Sequence, residues 1–183
     1  MAQVGEFDNL ECVVQPTIGE VQFDVVAVHG LGSNWRTTWG DLLQPCSWLQ
    51  DLLPKEIPNA RIWTCGFDVR EYIRHDLITS RSKSLLNSFE KQREDPKRPI
   101  IFIAHSLGGI ILEAALQESS KSLRASVHGI VFLGLPQFGV REEKWEQFLL
   151  AIDKIVDQKP PFSRSLFRSL TEASRVSLPH LTS

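Results

Sequence analysis

The chain is poor in cysteine, carries no marked excess of either charge, and contains no long apolar run. Its three cysteines, Cys12, Cys46 and Cys65, form neither a C-x-x-C pair nor a metal-ligand spacing. That excludes a disulfide-stapled scaffold and a zinc module, and points to reduced thiols. With 20 Lys and Arg against 22 Asp and Glu the formal net charge is -2, so the basic excess of a nucleic-acid binder is missing. The longest apolar stretches, residues 100–104 and 129–135, fall far short of the roughly 20 residues that cross a bilayer. The first ten residues include Glu6 and Asp8 and have neither a basic nor an apolar region, so they do not read as a secretory leader. No internal repeat is visible, which sets solenoids aside. These absences predict a soluble intracellular protein, cytoplasmic by default, with peripheral membrane contact left open.

What is present fits one globular domain: 183 residues, 42% hydrophobic, 9% aromatic and 23% charged. That composition supports a sizeable core and not a disordered chain. Short β-rich runs alternate with helical periodicity. Phe23-Asp24-Val25-Val26-Ala27-Val28, Arg61-Ile62-Trp63-Thr64-Cys65, Ile100-Ile101-Phe102-Ile103-Ala104 and Ile130-Val131-Phe132-Leu133 read as strands. The third does not alternate, as expected of a strand buried on both faces. Ser47 and Gln50 form an S-x-x-Q capping box over Trp48, Leu49, Leu52 and Leu53, with Pro54 as the stop. Ile78, Ser82, Leu85 and Phe89 share one helical face, and Leu107, Ile110, Ile111, Ala114 and Ala115 another. The mixed-charge stretch from Glu90 to Arg98 reads as a solvated turn. Trp145, Phe148, Leu149, Ile152, Ile155 and Val156 predict a long amphipathic helix, and Leu166, Phe167 and Leu170 a shorter one. Strand-helix alternation predicts an α/β fold, a mostly parallel sheet with helices on both faces.

Ala104-His105-Ser106-Leu107-Gly108-Gly109 stands where a buried strand ends and an apolar helix begins. This is the nucleophile-elbow arrangement G-x-S-x-G with Ala104 in the first glycine position. Small flanking residues allow a tight turn that lifts the Ser106 hydroxyl above the sheet at a helix N-terminus. The competing reading is an ordinary strand-helix turn with Ser106 as a cap. Upstream, Val28-His29-Gly30-Leu31-Gly32 also ends a strand. Acyl transfer needs backbone N–H donors aimed at the developing oxyanion. Leu107, after the serine, would supply one and Leu31 the other, with Gly30 and Gly32 letting the loop turn inward. A phosphate loop fits poorly: Trp35 stands where a third glycine would be, and no Lys-Ser or Lys-Thr follows.

From Val26-Ala27-Val28-His29-Gly30-Leu31-Gly32 through Thr38-Trp39, Trp48-Leu49-Gln50-Asp51-Leu52-Leu53-Pro54, Ala60-Arg61-Ile62 and Gly66-Phe67-Asp68, the chain resembles a known group. Residues 98–109 and 129–134 continue the match. The group is the α/β-hydrolases of the lipase-like, serine-active-site type, and the chain is similar to the N-terminal hydrolase modules of fungal NACHT or ankyrin-repeat proteins. The resemblance implies a serine esterase or lipase-like activity, or a signalling module derived from one. One departure is Leu135-Pro136-Gln137-Phe138-Gly139, where the group shows Thr-Pro-His-x-Gly.

A serine hydroxyl needs a histidine to take its proton and a carboxylate to orient that histidine. His29 and His105 belong to the two motifs, His128 begins a strand and so faces the opposite edge, and His75 lies upstream. His180 remains as the weak general-base candidate. Asp153 and Asp157 lie on the amphipathic helix beside Lys154 and Lys159 and read as solvated charges. The usual acid and histidine are therefore not identifiable, and the chain reads as one domain over 1–183 that is incomplete at its C-terminus. Asp68 reads as a loop cap or a polar site residue, and Trp35 and Trp39 as acyl-pocket lining or packing under a lid-like segment. Arg164, Arg168 and Arg175 read as a solvated face. The expected function is hydrolysis of a small carboxylic ester or lipid by Ser106, with no cofactor, metal or nucleic acid. The alternatives are a non-catalytic binding or signalling module and a truncated gene product. The apolar strand at 130–133 predicts self-association, or a protein partner, unless residues from Arg141 onward cover it.

Overall fold

The computed structural model describes residues 10–16, 19–30, 35–40, 46–65, 77–135 and 147. Five strands form one sheet: β1 (Leu10–Val14), β2 (Phe23–Val28), β3 (Ala60–Cys65), β4 (Ile100–His105) and β5 (Val127–Leu133). Their order is β1-β3-β2-β4-β5, with β1 antiparallel to β3 and the other pairs parallel. The helices are α1 (Trp35–Trp39), α2 (Leu53–Glu56), α3 (Leu77–Gln92), α4 (Gly108–Glu118) and α5 (Lys121–Ser126).

Burial on both faces explains why the strand sequences do not alternate. Val26, Val28, Trp63, Cys65, Phe102 and Ala104 pack one face against Leu86 and Phe89 of α3 and Ile110, Ile111 and Leu112 of α4. Val25, Ala27, Ile62 and Ile103 pack the other face against Trp39 and Leu49. Edge-to-face contacts of Phe89 with Trp63, 5.7 Å between centroids, and with Phe102, 6.5 Å, tie α3 to the sheet.

The register brings the functional ends level. Val28 pairs with both Cys65 and Ala104, so β2, β3 and β4 finish in one row. From β2 the chain passes to β3 on one side and then to β4 on the other. The order of strands therefore reverses between β2 and β4, the place where open α/β sheets bind their ligands.

The structure corrects several local readings. Ser47 makes no side-chain cap, and its N–H donates to Asp51 Oδ2 at 2.6 Å. Residues Trp48–Leu52 wind as a π-helical turn, and its extra residue per turn moves the acceptor position from Gln50 to Asp51. Pro54 does not stop the helix; it lies in the first turn of α2, where its missing N–H costs nothing. Of the stretch read as a solvated turn, Glu94 to Lys97 are exposed, but Arg93 is only 4% exposed and Arg98 is half-buried. Both turn inward because the buried carboxylate of Asp24 recruits them, at 4.0 Å from Arg93 Nε and 3.7 Å from Arg98 Nη1. Arg61 Nε at 2.8 Å and Trp63 Nε1 at 2.9 Å donate to the other Asp24 oxygen. The strand β1 was not anticipated. The strand at 130–133 begins earlier, at Val127, and ends the sheet among the described residues, with Val131, Phe132 and Leu133 46%, 37% and 40% exposed. Of the predicted face on α3, Leu85 is half-buried and Phe89 buried, while the side chains of Ile78 and Ser82 lie outside the described residues. So do the helices predicted from Trp145 and Leu166, apart from Gln147, which is helical and exposed.

Candidate active site

Between β4 and α4 the chain makes the sharp reversal expected of an elbow. Ser106 has φ +52°, and it is the one non-glycine residue with positive φ among the described residues. That conformation costs about 1–2 kcal/mol for an L-residue and must be held by its surroundings. Here the Ser106 N–H donates to Leu133 O at 2.8 Å, and its carbonyl accepts from Gly109 N–H at 3.1 Å. Leu107 O accepts from Ile110 and Ile111 at 3.1 and 3.3 Å, which starts α4. Leu107 N–H finds no backbone acceptor among the described residues, as at any helix start.

The glycines are steric requirements of close approach. A Cβ on Gly108 would stand 2.3 Å from the His29 carbonyl oxygen and 2.9 Å from that of Val28. The start of α4 therefore rests directly on the end of β2. A Cβ on Gly30 would stand 2.9 Å from Ser106 Cβ, 3.1 Å from His105 O and 3.3 Å from His105 Nδ1. The start of the His-Gly loop thus passes over the serine with no room to spare.

His29 is buried, and burial pushes its imidazole down to about 4; the neighbouring His105 adds to the fall and a bond to Gly30 O opposes it. It is neutral at pH 7. Its Nδ1 lies 2.7 Å from Gly30 O, and because a carbonyl only accepts, Nδ1 carries the proton. The His105 ring meets Trp39 edge-on, with 6.3 Å between centroids and planes at 72°. Trp39 in turn lies 6.0 Å from Trp48. Trp39 Nε1 and His105 Nδ1 are both buried without a hydrogen-bond partner among the described residues.

The structure thus brings Ser106, Leu107, Gly108, His29, Gly30 and His105 to one point. Leu31 and Gly32, His180, Asp68, His75, Asp153, Asp157 and the side chain of Trp35 lie outside the described residues. His128 stands near the start of β5, at the opposite end from Ser106, as its position in the sequence predicted. Trp39 is 5% exposed and packs within the core against His105. Trp48 and the carbonyl of Leu133 were not anticipated; a backbone carbonyl carries no residue signal at all. Among the described residues no group of three or more His, Cys, Asp or Glu could hold a metal ion.

Comparison with known proteins agrees with the fold. The mature lipase BlEst2 of Bacillus licheniformis superposes with a TM-score of 0.57 at 15% identity, covering 93% of this chain and 66% of that one; the fold is α/β-hydrolase-like. Protein SERAC1 of Mus musculus is 28% identical over 149 residues, that of Danio rerio 27% over 151, and that of Homo sapiens 26% over 149. These matches take in 66%, 65% and 66% of this chain but only 22% of each relative, so the chain spans about a fifth of the length of these curated proteins. Residues 24–158, which contain both strand-end motifs, match the family described as "Putative serine esterase (DUF676)", and the chain belongs to that family.

Proposed function

We propose that the protein is a serine hydrolase acting on carboxylic esters, lipid esters among them, with Ser106 as nucleophile. The observation that carries the reading is the φ of +52° at Ser106, on a turn between a buried strand and a helix. Strain at a serine in this position is the mark of a hydroxyl presented for attack and not of a helix cap. Ser106 Oγ adds to the ester carbonyl while its proton passes to a base. The carbonyl oxygen takes the charge, the alcohol leaves, and water releases the acyl group from the serine. Leu107 N–H is one oxyanion donor and Leu31 N–H, which lies outside the described residues, the other, each worth about 3–4 kcal/mol of barrier. His180 is the candidate base. No helix among the described residues is long and apolar enough to cross a membrane. A cytoplasmic location belongs to the same reading.

The test is covalent labelling by a fluorophosphonate. Wild type should be labelled, and Ser106→Ala should lose at least about 100-fold of the labelling rate. A folded wild type that resists labelling would remove the catalytic reading. A second reading is a hydrolase-fold binding or signalling module without turnover. It is favoured by the structural use of both described histidines near the serine: His29 is tied to Gly30 O and His105 lies against Trp39. On that reading ligand or partner binding survives Ser106→Ala, and simple esters are not hydrolysed.

A further inference from the structure

We infer that the outer edge of β5 is an interface for a second copy of this chain, paired antiparallel across a two-fold axis at Val131. A contrast between the two edges of the described sheet motivates it. β1 has five residues, carries the exposed Glu11 and is interrupted by a register shift between Cys12 and Val14. A charge and a bulge are devices that keep an edge from recruiting another strand. β5 has seven residues, and none is charged or a proline. Among the described residues it pairs with β4 alone, in unbroken register from Gly129 to Leu133. Of the four large apolar residues left exposed among those described, Val131, Phe132 and Leu133 stand consecutively on this edge. Contiguous exposed apolar surface of this kind marks a contact site.

Backbone geometry fixes which groups the edge offers. Leu133 O accepts from Ser106 N–H, so Leu133 turns its backbone groups toward β4. Val131 and Gly129, in step with it along the ladder, do the same. Ile130 and Phe132 alternate with them and present N–H and C=O outward. A strand that answers those groups extends the sheet.

The residues of the edge select a second copy as that strand. Antiparallel pairing about Val131 sets Val131 against Val131, Ile130 against Phe132 and Gly129 against Leu133. Ile130 and Phe132 of the two copies then exchange their outward N–H and C=O groups, while Val131 takes a close, non-hydrogen-bonded position. Leu133, which is 40% exposed, is set opposite Gly129, where a Cβ would meet nothing within 4 Å. The larger side chain thus finds the open space. A β-branched residue against an aromatic one, as in Ile130 with Phe132, is a favourable cross-strand pair. No like charges are brought together, because the strand has none. Two identical edges therefore satisfy each other, which closes the assembly at a dimer. Residues 129–133 of each copy bury less than the roughly 800 Å² per partner of a standard interface, so the dimer should come apart on dilution.

Size exclusion with light scattering on the full chain tests this. At high micromolar concentration wild type should show twice the 20.7 kDa of one chain, and the mass of one chain after about 100-fold dilution. Val131→Lys and Val131→Glu each set like charges face to face, so each alone should run as a single chain at every concentration. Both should keep a denaturation midpoint close to that of wild type, since Val131 is 46% exposed. Mixed in equal amounts, the two variants should recover the doubled mass. Should either fail to fold, Val131→Cys takes its place: under an oxidant it should form a disulfide-linked dimer that wild type treated alike does not. A wild type that stays a single chain at all concentrations overturns the proposal and leaves the edge to a different partner. A doubled mass that survives Val131→Lys overturns it too, as does an open-ended aggregate in place of a dimer. So does failure of the mixed variants, or of oxidised Val131→Cys, to pair.

Discussion

Gly108 governs how near Ser106 can come to the strand that precedes the His-Gly loop. A methyl there would sit 2.3 Å from the His29 carbonyl oxygen, and backbone cannot swing aside as a side-chain tip can. Gly108→Ala must therefore push α4 away from β2, carrying Ser106 with it. We expect a loss of about 1–3 kcal/mol in urea denaturation, the usual range for overpacking, together with slower fluorophosphonate labelling. Gly129 is the control, since a Cβ there meets nothing within 4 Å and the residue lies in a strand. Gly129→Ala should leave stability unchanged or raise it slightly, because the unfolded chain loses freedom. If the two substitutions cost the same, close approach is not what Gly108 provides. His105 shows how far residue chemistry could be read from sequence. Its place beside the serine was legible, but its edge-on contact with Trp39 was not, because Trp39 is distant in the chain.

At the level of elements, Asp24 fastens the ends of β2, β3 and β4 that lie away from the site. Its carboxylate accepts from Arg61 and Trp63 of β3, and it faces Arg93 after α3 and Arg98 before β4. Asp24 N–H donates to Pro99 O at 2.9 Å, and Arg93 Nη2 donates to Arg98 O, which binds the turn to the sheet. Arg61 and Arg93 also stack over Trp63 and Phe89, at 4.8 and 5.4 Å. Removing the Asp24 carboxylate takes away the buried anion that these guanidinium groups face, so Asp24→Ala should cost about 3–5 kcal/mol in chemical denaturation. Asp24→Asn should cost less, since an amide oxygen still accepts from Arg61 and Trp63. A loss under about 1 kcal/mol for Asp24→Ala would mean that the cluster does not hold the strands. The parallel strands were legible in sequence because burial on both faces makes a continuous apolar run. The inward turn of Arg93 and Arg98 was not, because their partner lies about 70 residues upstream and only the fold brings it close. The strand β1 escaped notice for a related reason: it is short, and among the described residues it pairs only with β3. The π-helical turn has no composition of its own, so its capping sequence pointed one residue too early.

For the molecule as a whole, two buried titratable groups oppose each other across the acid range. The imidazole of His29 falls from the usual 6.5 to about 4, so between those values the unfolded chain holds a proton that the folded chain refuses. Stability from this group is complete above pH 6.5 and is lost on acidification toward 4, by up to about 1.4 kcal/mol per pH unit. Glu113, buried in α4, runs the other way. Burial raises its carboxyl above 4.5, so the folded chain keeps a proton that the unfolded chain has released. Its contribution is greatest below pH 4.5 and declines as pH rises through the raised value. Denaturation curves taken from pH 4 to 8 should be flatter on the acid side for His29→Gln. Glu113→Gln should gain on wild type as pH climbs. Curves parallel to wild type for both variants would show that neither group titrates differently on folding.

The bond from Ser106 N–H to Leu133 O joins the strained residue to β5, one of the two edge strands of the described sheet. Leu133 is 40% exposed, and Gly134 follows with φ +64°, so the acceptor sits at the end of a strand with solvent beside it. Fraying of β5 and relaxation of the serine are for that reason a single event: when the last rung of the ladder opens, the left-handed turn loses the carbonyl that keeps it wound. Amide exchange at Ser106 would then follow the breathing of β5 more closely than the breathing of its own helix.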